Sequence, residues 1–394
     1  MNTNNLRPKY EEALRQLAGN VCPVHGFEPP VLIEGGAYQG VWLECAPLEG
    51  LLYAQLTGRH EVALANHDVF FHHQREDGYL PCWIRANAVG TAQIQMVVPI
   101  AATALETALL TRNEAFLARA CRACSRWDAW LRAHRDTRGT GLCEAFCEWD
   151  TGHDNSPRFA GLPQGCPNGD ARICPDAGGL PYLAPDLSAS VYGGRVALSR
   201  MARLLGNDAE AQRWLDDAET IRAAIIRHCY DPRDECFYDV NRHGEYVRVR
   251  GDLLTRVPGE HVVDQPMFER IYARHIRNPD SFWTPYPLPS IAADDPVFVR
   301  SLPPNSWGGA SQALTALRAP RWFDHYGKTT DLEHLMRRWL EAISRAPGFM
   351  QQMNPWTGEF STSPSYSPAM LVFTTFAERL VPGLSGVVPG TARE

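Results

Sequence analysis

Apolar residues recur along this chain in steps of three and four, stripe after stripe, and that periodicity is the tightest constraint on what it can fold into. Val97, Ala101, Ala104 and Ala108 share one face of a segment, and Leu117, Ala120, Cys124, Trp127 and Leu131 share one face of the next. Ala211, Trp214, Ala218, Ile221 and Ile225 form another stripe, as do Leu332, Leu335, Trp339 and Ile343, while Leu198, Met201 and Leu205 are expected to face inward. Asn207 with Glu210, and Thr330 with Glu333, have capping-box spacing. Further helices are expected at about 10–17, 60–74, 265–275 and 368–379, with strand-like, turn-rich sequence over 236–259. Eleven or twelve helices in antiparallel pairs, joined by long loops gathered at one end, predict an all-α toroid. With no break in composition to mark a linker, residues 1–394 read as one domain. No repeat of fixed period supports a solenoid.

The charge balance narrows the partners. A net charge of −7 without a long basic run leaves nucleic acid no footprint. No apolar run approaches the roughly 20 residues that span a bilayer. The polar start, Met1 to Pro8, has no signal-peptide core, so a cytoplasmic protein is expected. Eleven cysteines, an odd number in a chain too large to need staples, argue for reduced thiols. Cys22 with His25, Cys143 with Cys147, and Cys166 with Cys174 lie in or beside loops, yet none has paired CxxC spacing, and Cys121–Cys124 falls on a core stripe. Neither a metal nor a cofactor is expected.

Chemistry concentrates in one loop. Residues 148–158, Glu-Trp-Asp-Thr-Gly-His-Asp-Asn-Ser-Pro-Arg, pack three acids, a His, an Arg and a Trp into a stretch that Gly152 and Pro157 keep from being helical. Its long continuation to Pro181 has little periodicity, as functional loops often do. Trp42, Trp83, Trp149, Trp283, Trp307 and Trp356 lie in or beside loops, unlike Trp127, Trp214 and Trp339 on helix stripes, and their flat faces suit sugar rings.

Residues 148–158 resemble the W-E-S-G-x-D-N-S-P-R signature of glycoside hydrolase family 63 and its mannosylglycerate-hydrolase-like relatives, with Asp and Thr in place of Glu and Ser. Trp42-Leu43-Glu44 is similar to that family's W-x-D/E opening, and 74–81 to its Q-x-x-D-G-x-x-P loop. Pro185-Asp186-Leu187, the segment 282–289 with Asn305-Ser306-Trp307, and 354–359 match later blocks in the same order. The resemblance covers about residues 30–380 and implies an (α/α)6 barrel with a pocket closed at one end, hydrolysing an α-glycosidic bond with inversion. A small saccharide or glycosylated small molecule is the expected partner.

Inversion needs a protonated carboxyl beside the leaving oxygen and a second carboxylate roughly 6.5–9.5 Å away to activate water. The resemblance makes Asp154 the acid. Where the family's G-F-x-E-Y-Y-x-P block carries its base, this chain reads Gly348-Phe349-Met350-Gln351-Gln352-Met353-Asn354-Pro355, and an amide cannot accept the water's proton. The base could be relocated to Glu359, Glu44 or Asp77. Otherwise the reaction could be phosphorolysis, elimination or isomerisation, or the pocket could bind sugar without turnover. Trp42, Glu44, Gln74, Asp77, Trp149, Asp150, Asn155, Arg158, Trp307 and Trp356 are the expected substrate contacts, with Arg158 free to meet an anionic aglycone or to pair with Asp150.

Overall fold

In the computed structural model, which describes residues 3–384, twelve helices form two concentric layers. α1 (Thr3–Gly19), α3 (His60–His72), α5 (Glu114–His134), α7 (Asp208–Cys229), α9 (Gln265–Ile271) and α11 (Thr329–Arg345) alternate with α2 (Ala46–Thr57), α4 (Ile100–Thr111), α6 (Pro185–Leu204), α8 (Leu253–Gly259), α10 (Ala313–Phe323) and α12 (Ser367–Leu380). The even-numbered set packs neighbour to neighbour and closes on itself, α12 meeting α2, so it forms the inner ring. Position in the ring follows composition. Inner helices such as α12 bury most of their residues, whereas α5 and α11 bury the single stripe expected of a helix with one wet face.

The connections are unequal, and that inequality makes the site. From inner to outer helix the chain uses only 58–59, 112–113, 205–207, 260–264 and 324–328. The return paths, 20–45, 73–99, 135–184, 230–252, 277–312 and 346–366, are long, and each delivers the N-terminus of an inner helix to the same end of the ring.

Short strands refine the all-α expectation, because the long loops pair with one another. Gly40–Trp42, Trp83–Arg85 and Val89–Gly90 form one antiparallel sheet, with Trp42 opposite Trp83. Ser311–Gln312, Gln352–Met353 and Phe360–Ser361 form another. A seven-residue inner helix, α8, lies inside the region expected to be strand-like; it is too short to show a stripe and carries Pro258. Pro99 holds extended backbone just before α4, so Val97 is buried from the preceding loop rather than from the helix. Leu205 lies past the end of α6 and is exposed. Asn207 caps α7 by accepting from the Glu210 amide, but α11 begins after Lys328 with no side-chain cap, so the Thr330–Glu333 box does not form.

Candidate active site

Four of the long loops meet over the inner ring. The loop 135–184 supplies Asp154, 277–312 supplies Asn305 and Trp307, 346–366 supplies Gln351, and 20–45 supplies Glu34, Tyr38, Trp42 and Glu44. They are joined by a continuous run of hydrogen bonds. Tyr38 Oη donates to Gln351 Oε1 (3.0 Å), Gln351 Nε2 donates to Asn305 Oδ1 (2.8 Å), and Asn305 Nδ2 donates to Asp154 Oδ2 (2.7 Å). The Trp307 amide donates to the Asp154 carbonyl, and Asn155 Nδ2 donates to the Asn305 carbonyl. Asn155 and Asn305 both have φ near +50 to +60°, a conformation that Asn tolerates better than most side chains. Beside this run, Tyr38, Asn305, Gln351 and Tyr366 line a cavity of about 110 Å³.

The expected acid and the residue at the expected base position are thus brought together. Burial raises the pKa of Asp154, with the Asn305 hydrogen bond pulling it back. Gln351 is buried with both ends of its amide engaged, which fixes its orientation.

Glu44 joins them from the loop just before α2. Its Oε1 accepts from Gln95 Nε2 (3.1 Å), while Oε2 is buried with no hydrogen-bond partner among the described residues. A methyl at position 152 would collide with that oxygen, and Gly152 also has φ +63°, so glycine is doubly required there. Burial, then the charge of Asp154, raises the Glu44 pKa to about 7, against the pull of Arg256, Gln95 and Arg318. Two further carboxyls lie behind it. Glu34 accepts from Tyr366 Oη (2.6 Å), and burial followed by Glu49 and Glu44 holds its pKa well above the usual range. Glu49 is pushed up to about 8, chiefly by burial.

Trp42 and Trp307 share one apolar cluster beside these carboxyls. Trp42 meets the edge of Tyr38 with ring centres 5.6 Å apart, and Trp307 meets His153 at 5.0 Å, with the Arg256 guanidinium over its face. His153 is driven down to about 3, first by burial and then by Arg256, so it stays neutral.

Other expected contacts are placed elsewhere. Arg158 is buried, and it forks onto Asp186 (2.7 and 2.8 Å) and Asp239 (2.5 and 2.6 Å) rather than pairing with Asp150. Asp150 is fully buried and holds Arg135 while accepting from the amides of Ile94, Phe146 and Cys147, so it staples the loop. Gln74 spends its amide on the carbonyls of Gly78 and Ala123. Asp77 is exposed and caps the Tyr79 amide beside Arg75. Trp149 packs on Gly165. Trp356 is exposed against Phe298. Glu359 is exposed, bonded to Thr357, and its backbone pairs with Asn354, three residues or roughly 10 Å along the strand from Gln351. Residues 354–359 therefore form a hairpin turn outside the pocket.

Sequence reasoning did not single out Glu34, Tyr38, Gln95 or the pair Arg256 and Arg318. The two arginines hold Asp252 well below the usual carboxylate range despite its burial. Gln95, with φ +42°, left no local signal, since its role depends on meeting Glu44 from another loop.

Known proteins share this architecture. The fold matches the GH63 mannosylglycerate hydrolase from Thermus thermophilus solved with glucose, at a TM-score of 0.72 and 18% identity over 93% of this chain and 99% of that one. A form of that enzyme with Tris and D-glycerate matches equally, over 94% and 100%. Neutral trehalase from Saccharomyces cerevisiae matches at 0.69 and 13% identity, over 92% of this chain and 76% of the trehalase. No curated protein sequence matches. The model of the mannosylglycerate hydrolase MGH1-like glycoside hydrolase domain matches residues 52–367, so the chain belongs to that glycosidase family.

Proposed function

We propose that residues 1–394 act as one catalytic domain that hydrolyses a small α-linked glycoside with inversion, Asp154 protonating the leaving oxygen. The observation that carries this is the linkage of the buried Asp154 carboxyl through Asn305 to Gln351, the last two lining a cavity. The raised pKa of Asp154 suits a donor, because a free Asp would be almost wholly ionised at neutral pH. Of the three replacement bases suggested by sequence, Glu359 and Asp77 are exposed and tied to local turns, which leaves Glu44. Its raised pKa and unpartnered oxygen suit a group that gains and loses a proton near neutrality. Gln351 orients the water or a hydroxyl. The Thermus enzyme's complexes with glucose and with D-glycerate favour a compact substrate.

The test is Asp154→Asn. Turnover of glycosides with poor leaving groups should fall by about 10²–10⁴-fold, while glycosyl fluorides, whose departing group needs no proton, should be spared. Equal loss on both would remove Asp154 from the donor role. NMR of the first-formed product, with and without phosphate, reads the anomer and separates hydrolysis from phosphorolysis.

A further inference from the structure

The cysteines between 143 and 174 play no part in the chemistry above, and two of them touch. Cys147 Sγ and Cys166 Sγ lie 3.8 Å apart, buried beside Phe146, with the half-buried Cys174 packed on the same cluster. The backbone holds them there. The Glu148 amide donates to the Pro163 carbonyl and the Trp149 amide to the Gln164 carbonyl, so 148–149 and 163–164 run side by side just inside the two cysteines. The Cys166 amide is itself fixed to the Ala92 carbonyl. Two thiols in contact on chains already bonded together meet the first requirement of a disulfide, which is proximity.

We propose that Cys147 and Cys166 are a disulfide-forming pair, a reversible clasp at the base of the loop that carries Glu148, Asp150, His153 and Asp154. The oxidant is a small disulfide of the glutathione class. The Cys166 thiolate attacks it and releases one small thiol; the Cys147 thiolate then displaces the second, leaving a Cys147–Cys166 bond. Two protein thiols lose two protons and two electrons, and one small disulfide becomes two small thiols. Arg135 Nη2 donates to Cys166 Sγ (3.7 Å), which sets a guanidinium beside that sulfur, whereas burial holds Cys147 well above the usual thiol range. Cys166, beside that cation and the less buried of the two, is the first to react.

A metal is the competing occupant, since Cys147, Cys166 and Asp150 bring ligand atoms within 4.8 Å of one another. Asp150 argues against it. Its two oxygens already take two bonds from Arg135 and three from backbone amides, and the guanidinium places a positive charge where a cation would sit.

The test begins with the wild-type protein, incubated with glutathione disulfide, alkylated, digested without reductant and analysed by mass spectrometry. The expected product is a linked pair of peptides containing Cys147 and Cys166, lighter than the reduced pair by two hydrogens and restored by dithiothreitol, with a higher Tm for the oxidised protein. In Cys147→Ser the resolving thiol is gone, so Cys166 should accumulate as the glutathione adduct. Three results would overturn the proposal: both thiols remaining free in the treated wild type, a dominant link from either cysteine to Cys174, or a stoichiometric bound metal that protects both from alkylation.

Discussion

Asp154 and Gln351 contact the two ends of the same amide: Asn305 donates to the first at 2.7 Å and accepts from the second at 2.8 Å. Their side-chain heads are therefore no farther apart than two hydrogen bonds and one amide. Asn305→Ala should break the linkage at both ends. Because the Asn305 bond stabilises the ionised form of Asp154, its loss raises the Asp154 pKa, so the alkaline limb of kcat/KM should move to higher pH. With both groups less well held, kcat should also fall by about 10–100-fold. An unmoved alkaline limb would show that Asp154 is not the group titrating there.

Gln351→Glu tests what the amide replaced. A carboxylate at 351 can still accept from Tyr38 but has no N–H to offer Asn305, and it stands across Asn305 from Asp154, the proposed proton donor. Hydrolysis should rise, and in a Glu44→Gln background, where the proposed base is gone, it should recover by at least about tenfold. A fall in native turnover with no gain in hydrolysis would instead point to chemistry in which the amide itself holds the substrate.

Arg158→Met separates architecture from catalysis. Losing the guanidinium leaves Asp186 and Asp239 buried without their shared partner, a change that costs about 3–5 kcal/mol in such settings. Tm should drop sharply, while the folded fraction at low temperature should keep a KM near the wild-type value. A large rise in KM with little change in Tm would return Arg158 to the pocket wall.

Arg158 also shows where sequence reading stopped. Stripes such as those of α5 and α11 are local, so the helix count and the pairing of helices were legible. The order of loop motifs pointed to Asp154 and to the Gln at 351 for the same reason. Which loop residues are free to serve a site is a different matter, decided by partners far along the chain: Arg158 is claimed by Asp239 and Gln74 by Ala123, whereas Gln95 holds one oxygen of Glu44 and leaves the other without a partner. Seen as a string, Arg158 and Asp150 are polar loop residues like Asp154. Only the meeting of 135–184 with the loops from 73–99 and 230–252 turns them into interior staples.

Glu49 gives a prediction about stability rather than rate. It sits inside α2, fully buried, and neither carboxylate oxygen has a hydrogen-bond partner among the described residues. Burial lifts its pKa from 4.5 to about 8, with the Cys45 thiol pulling down and Glu44 pushing up. The folded state therefore keeps a proton that the unfolded chain releases above about 4.5. That proton's contribution is whole below the unfolded pKa and declines as pH rises towards 8. Glu44, pushed up to about 7, and Glu34 act in the same direction. The wild-type Tm should fall between about pH 5 and pH 8, and Glu49→Gln, neutral throughout, should flatten the decline by an amount on the order of 3 kcal/mol. Thermal melts of the two proteins across that range decide it, and parallel curves would mean that Glu49 carries no charge-burial penalty.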